Sequence, residues 1–372
     1  MHDFIPVNEP LLCGNEKKYL NECLETMWIS SEGPFVKRFE ENMAAYVGRK
    51  YGIAVSSGTA ALETAMQALD LKKGTEVILP AFTIMSCAQA IIKAGLIPVV
   101  VDCDEDTWNM DENLIEEKIT ENTSAIMMVH IYGLTVKINS IIKLAKKYGL
   151  KIIEDAAEVH GQTYKGKQCG SFGDVSIFSF YANKHITCGE GGMILTDNET
   201  LFERSKLIRN LCFQPQKRYI HEEIGSNFRM TNMQAALGTA QLEYLDDTVI
   251  RKRQIGYQYN EMLKDIEGIK KPLERTDYCE NIYWVYGIVL KDNIKDNAQY
   301  FMNKMKEEKI GTRAFFYPIH KQPILLKMGY FQNEYCPNAD KLSERGFYVP
   351  SGLGIRKEQI QIVSEVLHTI LQ

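Results

Sequence analysis

The chain has 372 residues, 45% hydrophobic and 24% charged, an ordinary globular composition with length for about two domains. With 43 Lys and Arg against 48 Asp and Glu, its net charge of −5 excludes a general attraction to nucleic acid or acidic membrane surfaces. Nine cysteines, an odd count without a C-x-x-C pair, argue for free thiols in a reducing cytoplasm, and seven scattered histidines offer no metal-ligand spacing, so no metal is expected.

The opening MHDFIPVNEP lacks the basic and apolar regions of a secretion signal. GNEKKYLNECLETMW, which follows, is amphipathic and reads as a helix outside the sheet order. From about residue 50 to 200, short apolar runs alternate with helical patterns. YGIAVSS leads into TAALETAMQALDL and TEVILP into TIMSCAQAIIKAG; then come IPVVVD, SAIMMVHIYG, INSIIKLAKKYG and KIIEDAA. The runs AGLIPVVV and YWVYGIVL are too short to span a bilayer and read as buried strands. Alternation with nearly continuous apolar strands predicts an α/β fold whose mostly parallel sheet is covered on both faces. Such sheets bind ligands at the carboxyl ends of their strands, so the polar residues there carry the interest.

Past that region, MTNMQAALGTAQLEYLDD and IRKRQIGYQYNEMLKDI form one long helical pattern. NIYWVYGIVL alternates like a half-exposed strand, DNAQYFMNKMKEEKI reads as a helix, and a last helical pattern closes the chain. The expected division is a large ligand-binding domain over 1–245 and a smaller α+β domain over 246–372.

Four strand ends carry pointed chemistry. Ser57-Gly58-Thr59 lies between a strand and a helix, where backbone N–H groups and a hydroxyl hold phosphate. EDAAEVHG places Glu154, Asp155 and Glu158 after a buried run, and a buried carboxylate needs a cation or hydrogen bonds. SIFSF brings Ser179 to the same edge, and Lys184 follows in FSFYANKHITCGEGGM. His130 and Tyr132 in VHIYG end another strand, where they orient the loop or touch substrate. Each feature alone has a bland alternative: Thr59 as a helix N-cap, Asp155 as another, Lys184 as a solvated residue of a surface hairpin. Together, an anion cradle, a buried acid and a lysine describe one ligand bearing a phosphate, a basic ring nitrogen and an aldehyde: pyridoxal 5′-phosphate.

Those segments, with SSGTAAL, GSNFRMTNMQAALGTAQLE and FYPIHKQP, resemble the DegT/DnrJ/EryC1/StrS sugar aminotransferases, of the fold-type I, aspartate-aminotransferase-like class. The likeness covers almost the whole chain and is nearest to the GDP-perosamine synthase-like members. It implies that Lys184 forms the Schiff base and shuttles the proton, and that Asp155 faces the pyridine nitrogen. Glu158 falls near the ring hydroxyl, and Gly58, Thr59 and Ser179 match phosphate contacts. Asn227 matches a residue reaching the phosphate of a neighbouring subunit, which implies a homodimer with shared sites. Trp28, Ser31, Tyr317 and His320 lie in segments lining the sugar side. One position departs from the pattern. PAFTIMS puts Ile84 where relatives stack an aromatic ring, leaving either Ile84 or a displaced Phe82 against the cofactor.

The implied reaction moves an amino group from L-glutamate, through pyridoxamine phosphate, to a nucleotide-linked 4-keto-6-deoxyhexose. A small phosphorylated ketone is the alternative acceptor. A sugar dehydratase would need histidine at the lysine position, and NKHIT in the family's register puts Lys184 there, with His185 a packed neighbour. No segment remains for the DNA-binding module of a sensor, and GEGG precedes a strand rather than opening a dinucleotide-binding helix.

Overall fold

The computed structural model describes residues 2–214 and 216–371. Its central sheet has strands β1 (Tyr51–Val55), β2 (Glu76–Pro80), β3 (Ile97–Val101), β4 (Thr123–Val129), β5 (Lys151–Asp155), β6 (Val175–Ser179) and β7 (Gly192–Thr196), in the spatial order β1-β7-β6-β5-β4-β2-β3. Only β7 runs against its neighbours; the β6–β5–β4–β2–β3 pairings are all parallel. These strands are Val- and Ile-rich because both faces are covered. Successive residues therefore enter different cores: Met128, Ile152 and Phe178 pack on one face, Met127, Ile153 and Ile177 on the other.

Helix α1 (Glu16–Glu25) packs on α7 (Asn232–Leu242), as does α2 (Pro34–Val47); α3 (Gly58–Ala68) packs with α4 (Met85–Lys93) on the opposite face. On the first face, α5 (Ile138–Tyr148) buries Ile138, Ile141 and Ala145, spaced three and four apart, and stops at Gly149 with φ +68°. The remaining large-sheet helix is α6 (Glu199–Arg209). The long helical pattern is in fact two helices, α7 and α8 (Leu245–Met262). The break coincides with Glu243, whose carboxylate is held by Asn15, Tyr19 and Arg38.

A second, four-stranded antiparallel sheet follows, with β8 (Ile269–Lys270), β9 (Tyr286–Leu290), β10 (Arg313–Ala314) and β11 (Gly346–Val349) in the order β8-β9-β11-β10. Its core joins Tyr286 and Phe347 to Tyr259 of α8, to Phe301, and to Val363 of the last helix. Ile5, near the chain start, also packs there and bridges to Ile310. Trp284, Phe315 and Tyr348 instead join the core of the large sheet, so the two sheets close on one cleft. Among the described residues no helix is long and apolar enough to cross a membrane.

Candidate active site

Strand register builds one wall of the cleft. Ser179, Gly192 and Val55 are partners across β6, β7 and β1, and the Ser57-Gly58-Thr59 turn leaves the sheet beside them. The approach is too close for side chains. A Cβ on Gly192 would lie 2.3 Å from the Ser57 carbonyl oxygen, and one on Gly58 would lie 2.6 Å from Ser179 Cβ. Ser57, rather than Thr59, caps α3: its hydroxyl accepts from the Ala60 N–H at 3.1 Å. The Thr59 hydroxyl is thereby left for the cleft, 2.9 Å from that of Ser86. The first N–H groups of α3, which lack intrahelical partners, open onto the same wall, a ready anion site.

The acids and the lysine stand beyond this cradle. Asp155 is the last residue of β5, buried, with Oδ1 accepting the Ala157 N–H at 3.0 Å and Oδ2 accepting the Cys87 thiol at 3.4 Å. No helix begins there, so Asp155 is not an N-cap. Burial raises its pKa, against the pull of the Ala157 N–H and Lys184. Glu158 is also buried and accepts the Tyr132 N–H at 2.9 Å; burial pushes its pKa up to about 7, opposed chiefly by Lys184. Lys184 sits in a tight loop closed by Lys184 N–H to the Tyr181 carbonyl (3.0 Å) and Cys188 N–H to the Phe180 carbonyl (2.9 Å). Its Nζ lies 3.7 Å from Glu158 Oε1 and 3.6 Å from the centre of the Trp284 ring, with the side chain only 9% exposed. Burial lowers its pKa, and the carboxylates of Glu158 and Asp155 work against that fall. The amine is no solvated surface group.

Gly58, Thr59, Ile84, Asp155, Glu158, Ser179 and Lys184 all line one cleft of about 340 Å³. Phe82 does not; it is fully buried among Tyr132, Phe315 and Phe316, whereas Ile84 is 47% exposed. His185 turns away, its Nδ1 3.3 Å from the His160 carbonyl. His130 is buried against Glu154, and Tyr132 packs within the aromatic cluster. Asn227 is exposed, beside Asn210, and does not line this cleft. Trp28 and Tyr317 are exposed outside it, Ser31 is half-buried outside it, and His320 is buried behind it, 3.2 Å from Asp340. Sequence reasoning missed Trp284, Arg313, Phe316 and Tyr348, which cross from the second sheet; NIYWVYGIVL shows only strand alternation and carries no local signal of that reach.

These residues fit pyridoxal phosphate. The glycine-permitted cradle offers N–H groups and hydroxyls for a phosphate, Asp155 gives an acid with few internal partners for a ring nitrogen, and Lys184 gives a desolvated amine for an aldehyde.

Comparison with known proteins agrees. The chain is similar to the GDP-perosamine synthase of Escherichia coli O157:H7, 40% identical over 365 residues and covering 98% of each chain. It is also similar to a putative pyridoxal phosphate-dependent aminotransferase, EpsN, of Bacillus subtilis, at 34% identity over 100% of this chain and 97% of the other. Among solved structures, DesI, determined in the presence of its TDP-sugar product, superposes with a TM-score of 0.90 at 27% identity, covering 100% of this chain and 94% of that one. Residues 11–368 match the family description itself, and the chain belongs to the DegT/DnrJ/EryC1/StrS aminotransferase family.

Proposed function

We propose that this protein is a cytoplasmic homodimer that transfers an amino group from L-glutamate to a nucleotide-linked 4-keto-6-deoxyhexose, with pyridoxal phosphate as cofactor. The observation that carries the reading is the Lys184 amine, buried at 3.7 Å from Glu158 in one cleft with Asp155 and the α3 cradle. The 40% identity to a GDP-perosamine synthase favours a sugar acceptor joined to GDP.

When bound, pyridoxal phosphate supplies an aldehyde that captures amines and a protonated ring that draws in the electrons of a breaking C–H bond. The chain's residues do the rest. Gly58, Thr59 and Ser179 would hold the cofactor's phosphate, and Asp155 would keep its ring nitrogen protonated. Glu158 orients the group beside Lys184, and Ile84 supplies an aliphatic wall. Lys184 would hold the cofactor's aldehyde carbon and, as a neutral amine, would serve as the base that accepts the donor's α-proton and the acid that returns it. Burial makes this work, because only the neutral amine accepts a proton. Trp284 lies over the amine and keeps water from it.

Residues 1–245 would carry the cofactor and 246–372 the cover. Asn227 is exposed, and in the same stretch of chain Tyr219 and Ile224 are 81% and 90% exposed, which supports a neighbouring protomer covering that segment. The test of substrate is to load the enzyme with pyridoxamine phosphate and offer keto compounds. A GDP-linked 4-keto-6-deoxyhexose should restore visible absorption within one turnover. Restoration by a small phosphorylated ketone alone would replace the sugar reading.

A further inference from the structure

The charged side chains lining the cleft are Asp155, Glu158, Glu190, Lys184 and Arg313. Acids outnumber cations, a phosphate in the α3 cradle adds more negative charge, and Lys184 is taken up with bonding and proton transfer. Yet an amino-acid donor carries carboxylates and a nucleotide-linked sugar carries phosphates. Such anions enter a cleft whose own charge opposes them unless a cation meets them.

Arg313 is placed to do so. Among the described residues it makes no ion pair and donates to no carboxylate; its side chain lies against the Tyr348 hydroxyl, a neutral partner that leaves its charge unmatched. Arg345 and Arg49, by contrast, are committed: Arg345 donates to carbonyls of Leu290, Lys291, Ile294 and Asp296, and Arg49 to Asp197 and the 170–173 loop. The backbone that carries Arg313 is also held. It pairs with Tyr348 across β10 and β11, and two residues on, Phe315 is wedged where a Cβ on Gly287 would lie 2.5 Å, and one on Gly346 2.1 Å, from its ring. That packing anchors β10 beside the cleft, which Arg313 and Phe316 line.

Resting on the transaminase reading, we infer that Arg313 is the anion-gripping residue of the cleft, holding a substrate oxyanion in its guanidinium fork: a carboxylate of the amino donor or the diphosphate of the acceptor. Both sources offer paired oxygens that match the fork.

The test titrates cofactor-loaded enzyme with glutarate, a dicarboxylate without an amine, and with GDP, following heat. Losing a charge-assisted hydrogen bond weakens binding roughly 10- to 100-fold. Arg313→Gln should weaken one ligand by that factor and leave the other within about threefold, with Arg313→Lys between, since it keeps the charge and loses the fork. Loss on glutarate assigns the donor carboxylate; loss on GDP assigns the diphosphate. If neither ligand changes, or both weaken alike, the grip does not exist. Unchanged thermal melting of both variants shows that the fold is intact. The readout needs no turnover, so an Arg313-dependent site on a holoenzyme that fails to transaminate would count against the transaminase reading and leave the anion site standing.

Discussion

Glu154 and Asp155 are neighbours on β5 and both are buried, yet they face opposite sides of the sheet and opposite fates. Beneath the sheet, both oxygens of Glu154 are hydrogen-bonded. Its Oε1 accepts the Gly170 N–H at 2.6 Å and His130 Nε2 at 3.0 Å, and its Oε2 accepts the Phe172 N–H at 2.8 Å. His130 Nδ1 accepts the Val136 N–H, so Nε2 carries the proton and has no lone pair to offer. Cys169 completes a cluster of ligand-type atoms within 4.8 Å, but its neighbours' lone pairs are spent on the protein. Above the sheet, Asp155 has one backbone donor and a thiol. A buried carboxylate with all its partners is architecture. One with vacant lone pairs, a lysine nearby and a cleft in front of it awaits a ligand.

Four substitutions would break or sharpen that contrast. Lys184→Ala should keep the fold and bind cofactor through the cradle while turnover falls on the order of 10⁴-fold. Steady-state kinetics within tenfold of wild type would remove Lys184 from the chemistry. Mixing that variant with an Asn227→Ala chain, itself impaired, should return activity if protomers complete one another's sites; no recovery would argue against sharing.

Glu154→Ala acts on the other face. It strands two backbone N–H groups and a histidine N–H in the core, and should cost about 3–5 kcal/mol in chemical denaturation. A loss under about 1 kcal/mol would show that the network is dispensable.

The smallest effect is electrostatic. Glu158 raises the pKa of Lys184 against burial, so Glu158→Gln should lower it further. Neutral amine then appears at lower pH, and the pH midpoint for cofactor capture by apoenzyme, read by visible absorption, should move down. A midpoint that stayed or rose would mean that the two side chains do not interact as their 3.7 Å separation implies. The sign differs for stability. Glu158 holds its proton more tightly when folded, with a pKa of about 7 against the usual 4.5, so its contribution is present below pH 4.5 and is lost as pH rises through 7.

Much of the site was legible because it lies at successive strand ends, where local pattern suffices. Gly58, Asp155, Ser179 and Lys184 each follow an apolar run, and a parallel sheet must bring such ends to one edge. Other details were not. Thr59 and Ser57 are equally plausible caps in the string SSGT, and only the Ala60 N–H geometry gives the role to Ser57. Likewise PAFTIMS offers Phe82 and Ile84 alike, until Phe315 and Phe316 arrive from the second sheet and enclose Phe82.

By itself, then, the sequence determined the parallel sheet, its ligand-bearing edge and the cofactor-suited residues on it, because strand and helix periods and turn chemistry are local properties of the backbone. Tertiary structure alone decided that Glu154 is sealed while Asp155 is open, and that Trp284, Arg313 and Tyr348 reach into the cleft that holds Lys184. Burial, pKa and free hydrogen-bond capacity depend on what packs against a residue from elsewhere in the chain, and no local pattern records that partner.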